Sequence, residues 1–385
     1  MIARIGLLRE VEESLETVPV TVLSGPRQCG KTTLARTIHG ERKGVFFDLE
    51  DPETAEAFAN AKSLLGKLDG LVVIDEAQLR PDLYPVLRVL VDADRREGKD
   101  RRFLLTGSAA PELMHGTAES LAGRVRHIAM GGFALEEVGA AESDRLWVRG
   151  GFPDSFLAPR EEVSFRWRKD FIETFLLRDL ARFGVGVPSS ELRRLWIMVA
   201  HLHGQLVNLS ELGRSLSVSY STVRRHLDLL EQAYVVRRLQ PWHENLAKRQ
   251  RKAPKIFVRD SGILHGLLGL VDEVALRTHP KAGASWEGYA IEQILSALRT
   301  EEAWFWQTQA GAELDLLVFV GGRRIGFECK LSDRPRRTKS MHVAMEDLGL
   351  DHLHVIYPGE LEFPLGDDMT ALPLSKLPSR VDAGL

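Results

Sequence analysis

The sequence predicts an α/β protein that begins with a doubly wound parallel sheet. In residues 1–140, short apolar runs alternate with amphipathic segments of helical period, and this alternation is typical of parallel strands joined by crossover helices. The first apolar run leads into a glycine-rich loop that opens a helix, which is the context that a phosphate-binding loop requires. The chain of 385 residues exceeds one ordinary core, so we expect further domains after residue 140.

Composition and charge argue against several classes of protein. The formal net charge of −3 gives no overall attraction to nucleic acid or to an anionic membrane, so any DNA contact must depend on local basic patches. The two cysteines, Cys29 and Cys329, do not form the pattern of a disulfide framework. The sequence shows neither a signal peptide nor an apolar run of membrane-spanning length. We therefore expect a cytoplasmic protein with no membrane partner.

The glycine-rich loop spans Gly25–Thr32. Gly25 and Gly30 allow the backbone to turn its N–H groups toward a polyphosphate, at the positive end of the helix that follows. We expect Lys31 to reach the β- and γ-phosphates of ATP, and the Thr32 hydroxyl to coordinate Mg²⁺. The residues predicted to bind the nucleotide are Gly25, Pro26, Arg27, Gln28, Cys29, Gly30, Lys31, Thr32 and Thr33.

A later apolar run, residues 71–74, ends in the two carboxylates Asp75 and Glu76. A continuous apolar strand of this kind is buried on both faces, as in a parallel sheet. We expect Asp75 to hold Mg²⁺, mostly through water, and Glu76 to polarise the attacking water as general base. Together with the P-loop, these carboxylates predict ATP hydrolysis.

Two further residues each have two interpretations. Ser108 follows another buried strand, and its hydroxyl either contacts the γ-phosphate or the lytic water, or belongs to an ordinary Gly-Ser turn. Arg124 precedes the last strand of this region. It is either an arginine finger, supplied in trans across a subunit interface, or a solvated surface arginine.

Four motifs follow one another in a familiar order: the P-loop at 25–32, Ile-Asp-Glu-Ala-Gln at 74–78, Leu-Thr-Gly-Ser at 105–108 and Leu-Ala-Gly-Arg at 121–124. They resemble a widespread prokaryotic family that joins an AAA-type (AAA+) ATPase to a C-terminal domain of unknown function. The resemblance implies a five-stranded AAA+ core that uses ATP and Mg²⁺ in residues 1–140, and a homo-oligomer that forms a ring. Cys29 stands where the family usually carries a small aliphatic residue.

Residues 141–195 are predicted to form a helical lid or linker. The glycine cluster Arg149–Pro153 is a turn signal and resembles the family's hinge after the core. In the helix that follows, Phe171 and Phe175 share one face, and we expect Arg168 and Lys169 to lie on a charged exterior.

Residues 196–245 are predicted to form a winged helix-turn-helix. A short helix capped near Asn208 is followed by a second helix from Tyr220 to about Gln232 and by a strand at 235–239. The alternative is that such a unit docks a protein rather than DNA. The basic run 248–252 is either a solvated linker or a phosphate contact. The candidate DNA contacts are Tyr220, Ser221, Arg224 and Arg225 on the second helix, and Arg237 and Arg238 on the wing.

Residues 246–385 are predicted to form an α/β domain that contains a hairpin, with its turn at Gly321-Gly322. Glu328 and Lys330 are two residues apart on one strand, so they project to the same face, and Asp315 of the partner strand can reach the same spot. Two carboxylates beside a lysine suit Mg²⁺-assisted attack of water on a phosphodiester.

The Asp315…Glu328-x-Lys330 pattern resembles the PD-(D/E)xK nuclease signature, and the resemblance implies a restriction-endonuclease-like fold. A helical acid normally completes such a site, and we expect Glu287 rather than Glu292 in that role. Glu287, Asp315 and Glu328 would then hold the metal, with Lys330 beside them. The alternative is a domain of this fold that binds DNA with little or no cleavage.

The sequence as a whole predicts a Mg²⁺-dependent AAA+ ATPase that couples ATP hydrolysis to the binding and remodelling of DNA, including branched DNA in repair or recombination. One alternative is an ATP-gated, metal-dependent DNA nuclease. A second is a nucleotide-dependent switch or scaffold that acts on a protein partner, in which case DNA would not raise the ATPase rate.

Overall fold

The structure, a computed structural model, describes residues 2–108, 121–179, 188–243 and 250–385. The chain divides into two units, Met1–Gly132 with Gln232–Tyr234, and Phe133–Glu231 with Val235–Leu385. Lys248 and Arg249 of the predicted basic run lie outside the described residues. In the described part of the chain, no helix has the length and apolar character needed to cross a membrane.

The first unit is built on a parallel sheet of five strands in the order β2-β3-β4-β1-β5. Each central strand is a nearly continuous buried apolar run, as a sheet covered on both faces requires. The predicted parallel α/β core is therefore confirmed. The strands are β1 Val20–Ser24, β2 Gly44–Asp48, β3 Leu71–Asp75, β4 Arg102–Gly107 and β5 Val125–Ala129, and the described α-helices are α1 Ile5–Thr17, α2 Lys31–Glu41, α3 Pro52–Ala57, α4 Ala61–Leu65 and α5 Leu83–Glu97.

Strand register brings three loops to one edge of this sheet. β1 lies beside β4 with Ser24 opposite Gly107, and β3 lies on the other side of β4 with Ile74 opposite Leu105. Because the strands are parallel, their carboxyl ends meet at the same edge. The P-loop, the Asp75-Glu76 pair and Ser108 therefore follow three neighbouring strands.

The second unit begins with helices and continues into a nine-stranded mixed sheet in the order β13-β14-β12-β11-β10-β9-β7-β8-β6. Its α-helices are α6 Leu135–Val138, α7 Ser143–Arg149, α8 Pro153–Phe156, α9 Glu161–Thr174, α10 Ser189–His201, α11 Leu209–Leu216, α12 Tyr220–Gln232, α13 Ser261–Leu268, α14 Glu273–Arg277, α15 Ala282–Leu298, α16 Lys339–Leu348 and α17 Leu377–Asp382. Its strands are β6 Gln205–Leu206, β7 Val236–Pro241, β8 Lys255–Val258, β9 Trp304–Gln307, β10 Glu313–Val320, β11 Arg323–Cys329, β12 His352–Tyr357, β13 Phe363–Gly366 and β14 Met369–Pro373.

One sheet runs through the segments that the sequence predicts as separate domains. β8 pairs antiparallel with both β6 and β7, and β7 continues into a parallel pairing with β9. β10 and β11 form the predicted hairpin, and Gly321 and Gly322 both have positive φ at its turn. The boundaries at residues 195 and 245 remain predictions, since these segments share one sheet.

The predicted charged exterior of α9 is wrong at Arg168. This side chain is fully buried, and its guanidinium donates to the carbonyl oxygens of Val148 at 3.1 Å, Gly262 at 3.4 Å and Val271 at 3.3 Å. Helical periodicity placed Arg168 away from the aromatic face. The structure places it against α13, where backbone carbonyls satisfy several of its donors.

Candidate functional site

The P-loop has the backbone geometry that binds an anion. Gly30, the N-cap of α2, has φ 102°, a left-handed conformation. No side chain forms a capping hydrogen bond at this end of the helix, and its first turn contains no acidic residue. A Cβ at Gly25 would lie 1.9 Å from the carbonyl oxygen of Met130, so only glycine fits there. The first N–H groups of an α-helix have no partner within the helix. They are therefore available here to phosphate oxygens at the positive end of the helix dipole.

The Lys31 ammonium is held inside the loop. Its side chain is buried, and Nζ donates to the carbonyl oxygens of Gly25 at 2.9 Å and Pro26 at 2.8 Å. Both acceptors are neutral, so they satisfy the ammonium's hydrogen bonds without cancelling its charge. Such a lysine suits a polyphosphate.

Asp75 and Glu76 lie at the end of β3, next to β4. Thr106 on β4 donates its hydroxyl to Asp75 and accepts the backbone N–H of Glu76 at 3.2 Å. Asp75 is almost fully buried. Glu76 has φ 57° and ψ 41°, a left-handed conformation that is uncommon for a non-glycine residue and is typical of functional turns.

Gln78 joins Glu76 to Ser108. Its amide nitrogen donates to the Glu76 carboxylate and lies 3.0 Å from the Ser108 hydroxyl oxygen. Burial raises the pKa of Glu76 above its ordinary value, while the hydrogen bond from Gln78 and the charge of Lys31 act in the opposite direction. In the sequence, Gln78 was part of a motif but had no predicted role. Its position two residues after the proposed base was the available signal.

These residues fit a magnesium nucleotide. The Thr32 hydroxyl and the Asp75 carboxylate are hard oxygen donors of the kind that Mg²⁺ prefers. The uncapped start of α2 and the Lys31 ammonium supply the positive field that a polyphosphate needs.

Other residues of the predicted nucleotide set are placed less directly. Arg27 forms an ion pair with Glu50 at 2.9 Å. Cys29 is fully buried, and its thiol lies 3.5 Å from the carbonyl oxygen of Met130, which places it under the loop. Gln28 is exposed and has φ 62°.

Arg124 lies at the edge of the sheet opposite the P-loop. It directly precedes β5, whose first residue is in register with Val20 at the start of β1, and the P-loop follows the end of β1. Five residues of strand separate these edges by about 16 Å. The guanidinium pairs with Asp92 at 2.8 Å. Arg124 therefore cannot reach the nucleotide edge of its own subunit. Its two interpretations, an arginine finger that acts in trans and a surface arginine, both remain predictions.

The structure brings the predicted C-terminal site residues together and adds a fourth acid and a second lysine. Lys330 Nζ lies 2.7 Å from Glu328 and 3.7 Å from Asp315. Lys255 of β8 is buried, and its ammonium lies 3.0 Å from Glu287, 3.5 Å from Glu313 and 3.6 Å from Asp315. We call this set the C-terminal cluster, and its members are Lys255, Glu287, Glu313, Asp315, Glu328 and Lys330.

The pKa shifts in the C-terminal cluster reflect burial, which is the largest single effect, together with charge pairing. Burial, followed by the charge of Asp315, raises the pKa of Glu287 to about 7. Burial also raises the pKa of Glu328. Burial acts to raise the pKa of Asp315, but the charges of Lys255 and Lys330 lower it overall. For Lys255, burial opposes the charged form and the neighbouring carboxylates outweigh it, so its pKa rises.

The C-terminal cluster does not fit a divalent cation. Among the described residues, no group of three or more His, Cys, Asp or Glu side chains has an arrangement that could hold a metal ion. The physical reason is that lysine ammoniums occupy the site: Lys255 contacts Glu287 and Asp315, and Lys330 contacts Glu328. The structure therefore does not support the predicted metal site at Glu287, Asp315 and Glu328. Glu292 is absent from the cluster, because it pairs with Arg237 and Arg259.

The predicted DNA contacts fall into two groups. Tyr220, Ser221, Arg224 and Arg225 are all exposed on the first two turns of α12. The wing arginines differ, because other side chains of the same unit neutralise them. Arg237 is buried and pairs with Glu292 at 2.5 Å and Glu301 at 2.6 Å, and Arg238 pairs with Asp228 and Glu231. Their charges are not available to phosphate.

The parallel core and its P-loop edge define the class to which the first unit belongs: it is an AAA+ ATPase-like P-loop core. Residues 17–139 match a family model described as an AAA domain. Residues 141–274 and 282–377 match two models described as domains of unknown function, DUF8612 and DUF4143. The predicted union of an AAA-type core with a C-terminal domain of unknown function is confirmed at this level.

The chain belongs to the same family as an uncharacterized protein of Mycobacterium tuberculosis, which is 48% identical over 377 residues, covering 98% of this chain and 85% of the relative. An uncharacterized protein of Haemophilus influenzae is 22% identical over 302 residues, covering 70% of this chain and 74% of that protein. Among solved structures, the fold is similar to that of a Walker-type ATPase of Pyrococcus abyssi, with a TM-score of 0.50 and 16% identity over 70% of this chain and 96% of that one.

Proposed function

We propose that this protein is a Mg²⁺-dependent ATPase that couples ATP hydrolysis to the binding and remodelling of DNA. The observation that carries the ATPase part is the convergence of the P-loop, Asp75-Glu76 and Ser108 at the carboxyl edge of β1, β3 and β4. This edge supplies groups for the phosphates, for the metal and for the attacking water within a single unit.

Each residue at this edge has a distinct task. The backbone N–H groups at the start of α2 and the Lys31 ammonium bind and orient the phosphates, and Lys31 exchanges its two carbonyl acceptors for phosphate oxygens. Thr32 and Asp75 hold the metal, which neutralises phosphate charge when it is bound. Glu76 accepts a proton from the attacking water. Gln78 holds the Glu76 carboxylate in place and positions the Ser108 hydroxyl.

The raised pKa of Glu76 suits this task, since a carboxylate of higher pKa is the stronger base. In the proposal, Arg124 serves a neighbouring copy of the chain as an arginine finger, and it leaves Asp92 to do so. A homo-oligomer, a ring in the AAA+ manner, is therefore part of the proposed function.

The DNA part of the proposal rests on residues 189–258. The order α10, β6, α11, α12, β7, β8, with β8 paired to both β6 and β7, supports the predicted winged helix-turn-helix. In this arrangement α12 is the recognition helix. Arg224 and Arg225 are exposed and form no ion pair with any described residue. They are the residues that we propose to contact phosphate.

The test is the steady-state ATPase rate with Mg²⁺, alone and with single-stranded, duplex and four-way-junction DNA. We expect DNA to raise the rate, and we expect Arg224→Ala/Arg225→Ala to abolish the stimulation while leaving the basal rate unchanged. Arg95→Ala/Arg96→Ala is the matched control, because it removes the same charge from exposed positions on α5. A rate that no DNA changes would contradict the DNA role and favour a switch that acts on a protein partner.

A further inference from the structure

A short basic loop adjoins the C-terminal cluster. Residues 331–339 contain four basic residues and one acid, Asp333, in a chain whose net charge is −3. All four basic side chains are exposed, and none forms an ion pair with a described residue. We call the segment 331–339 the basic loop, and its basic residues are Arg334, Arg336, Arg337 and Lys339.

Both ends of the basic loop are fixed at the cluster. It begins after Lys330, whose backbone N–H donates to the carbonyl oxygen of Ile356 at 2.9 Å and whose ammonium contacts Glu328. It is followed by Ser340, whose hydroxyl accepts the Glu313 N–H at 2.7 Å and donates to the Glu313 carbonyl oxygen at 2.9 Å. Pro335 is buried in the middle of the loop. The loop is therefore anchored, and its arginines project from a defined position beside the cluster.

The composition of the loop fits a phosphate backbone. Unpaired arginines bind phosphate bidentately and lose little on desolvation, because guanidinium is weakly hydrated. Arginines elsewhere in this unit, such as Arg237 and Arg259, differ because carboxylates neutralise their charge. Exposed arginines in a row without such partners are the electrostatic feature of a nucleic-acid surface.

In the C-terminal cluster beside the loop, each carboxylate already pairs with a lysine ammonium. Of the three predicted metal ligands, Glu287 and Asp315 lie within 3.6 Å of the Lys255 ammonium, and Glu328 lies 2.7 Å from the Lys330 ammonium. A lysine is a permanent part of the chain, so it cannot be displaced by diffusion as a bound ion can. A buried charge is retained when it is paired and hydrogen-bonded, as it is here.

We propose that the basic loop binds the phosphate backbone of DNA, and that Lys255 replaces the divalent cation of the neighbouring cluster, so that this part of the protein holds DNA without cutting it. The proposal rests on the DNA role proposed above and adds a second, sequence-independent contact to that of α12. Both halves predict binding that needs no metal.

The first test is fluorescence anisotropy of labelled duplex DNA with the full chain, without nucleotide, over a range of salt concentrations. We expect Arg334→Ala/Arg336→Ala/Arg337→Ala to weaken binding by about tenfold or more. The slope of log affinity against log salt concentration should become shallower by about 0.9 for each phosphate that the loop no longer neutralises. Arg88→Ala/Arg95→Ala/Arg96→Ala removes the same charge from exposed positions of α5 and should leave both the affinity and the slope unchanged.

The outcomes separate this inference from the proposed function. If the loop variant binds DNA as the wild type does while Arg224→Ala/Arg225→Ala loses affinity, the loop inference is wrong and the DNA role stands. If the wild type itself does not bind DNA, both the loop inference and the proposed DNA role are wrong. Equal losses of affinity in the loop variant and in the α5 control would also overturn the inference, since the effect would then be one of net charge.

The second test uses the same wild-type complexes, incubated with Mn²⁺ and resolved on a denaturing gel. We expect the DNA to remain intact over many hours. Strand breaks that disappear in Asp315→Asn would overturn the second half of the proposal, because they would require a metal where the structure has Lys255. This arm needs no Lys255 variant, and the Asp315→Asn control is used only after circular dichroism shows that it folds as the wild type does.

Discussion

The nucleotide site and the C-terminal cluster contain similar side chains whose charges are paired differently. In the first, the hydrogen bonds of the Lys31 ammonium go to neutral carbonyl oxygens, and the Asp75 carboxylate accepts from a threonine hydroxyl. In the second, two lysines lie among four carboxylates, with ammonium-to-oxygen distances of 2.7–3.7 Å. The difference shows that a motif identifies residue types, whereas the pairing of charges decides whether a site still accepts an ion.

The largest expected effect is on nucleotide binding. Lys31→Ala removes the ammonium that contacts the phosphates, and we expect binding of a fluorescent ATP analogue to fall by at least about a hundredfold, a loss of about 3 kcal/mol. Lys255→Ala, the matched lysine of the other site, should leave the affinity of the folded protein for ATP unchanged. Tight ATP binding by Lys31→Ala would show that the Lys31 ammonium does not bind the phosphates, and the comparison of the two sites would then be wrong.

The next effect is on the chemical step. Glu76→Gln keeps the shape of the side chain and removes the base, so the rate of phosphate release should fall by about 10²–10⁴ while ATP still binds. Glu328→Gln makes the same change in the C-terminal cluster and should leave the hydrolysis rate unaffected. Rate and affinity are both measured on the purified chain, and normal turnover by Glu76→Gln would show that another group accepts the proton.

The two lysines should also differ in their contribution to stability. Lys255→Met leaves buried carboxylates without their counterion, and we expect the free energy of unfolding of the second unit to fall by about 3–5 kcal/mol. Lys31→Met removes hydrogen bonds to neutral carbonyls, and the loss of stability should be about 1 kcal/mol. Urea unfolding of each variant measures the difference. Equal losses of stability would contradict the charge balance of the two sites.

The smallest effect sharpens the role of Gln78. Its amide donor stabilises the ionised form of Glu76 and so lowers the pKa of that carboxyl, against the larger effect of burial. The base is active when ionised, so the rate falls as the pH decreases through the pKa of Glu76. Gln78→Ala should raise this pKa further and move the acidic limb of the pH–rate profile to higher pH. Ser108→Ala keeps the Gln78 donor and should move the limb less, so an unshifted limb in Gln78→Ala would rule out the positioning role.

The nucleotide edge was predictable because local pattern and chemistry coincide there. The apolar run of β1 leads directly into the glycine-rich loop, and that of β3 leads directly into Asp75 and Glu76. The functional residues of this edge therefore follow their strands in the chain and could be read from it. The hairpin of β10 and β11 was predictable from two strand-like segments separated by a Gly-Gly turn.

The rest depends on contacts between residues far apart in the sequence. Lys255 precedes Asp315 by 60 residues, and only the pairing of β8, β7 and β9 in one sheet brings it into the cluster. Arg237 was predicted to contact DNA phosphate, and no local pattern indicated its partners Glu292 and Glu301, which lie 55 and 64 residues further along the chain. The role of Gln78 could have been predicted, since it lies only two residues from Glu76 in the chain.

The contrast between the two sites is tested most directly by a titration of the intact wild-type chain with Mn²⁺, followed by electron paramagnetic resonance of the free ion. We predict no tight binding of Mn²⁺ by the chain alone, and binding of about one ion per chain when a non-hydrolysable ATP analogue is present. We also predict that Lys31→Ala abolishes the nucleotide-dependent ion. A tightly bound Mn²⁺ that needs no nucleotide and disappears in Asp315→Asn would contradict the contrast, because the C-terminal cluster would then hold a metal despite Lys255.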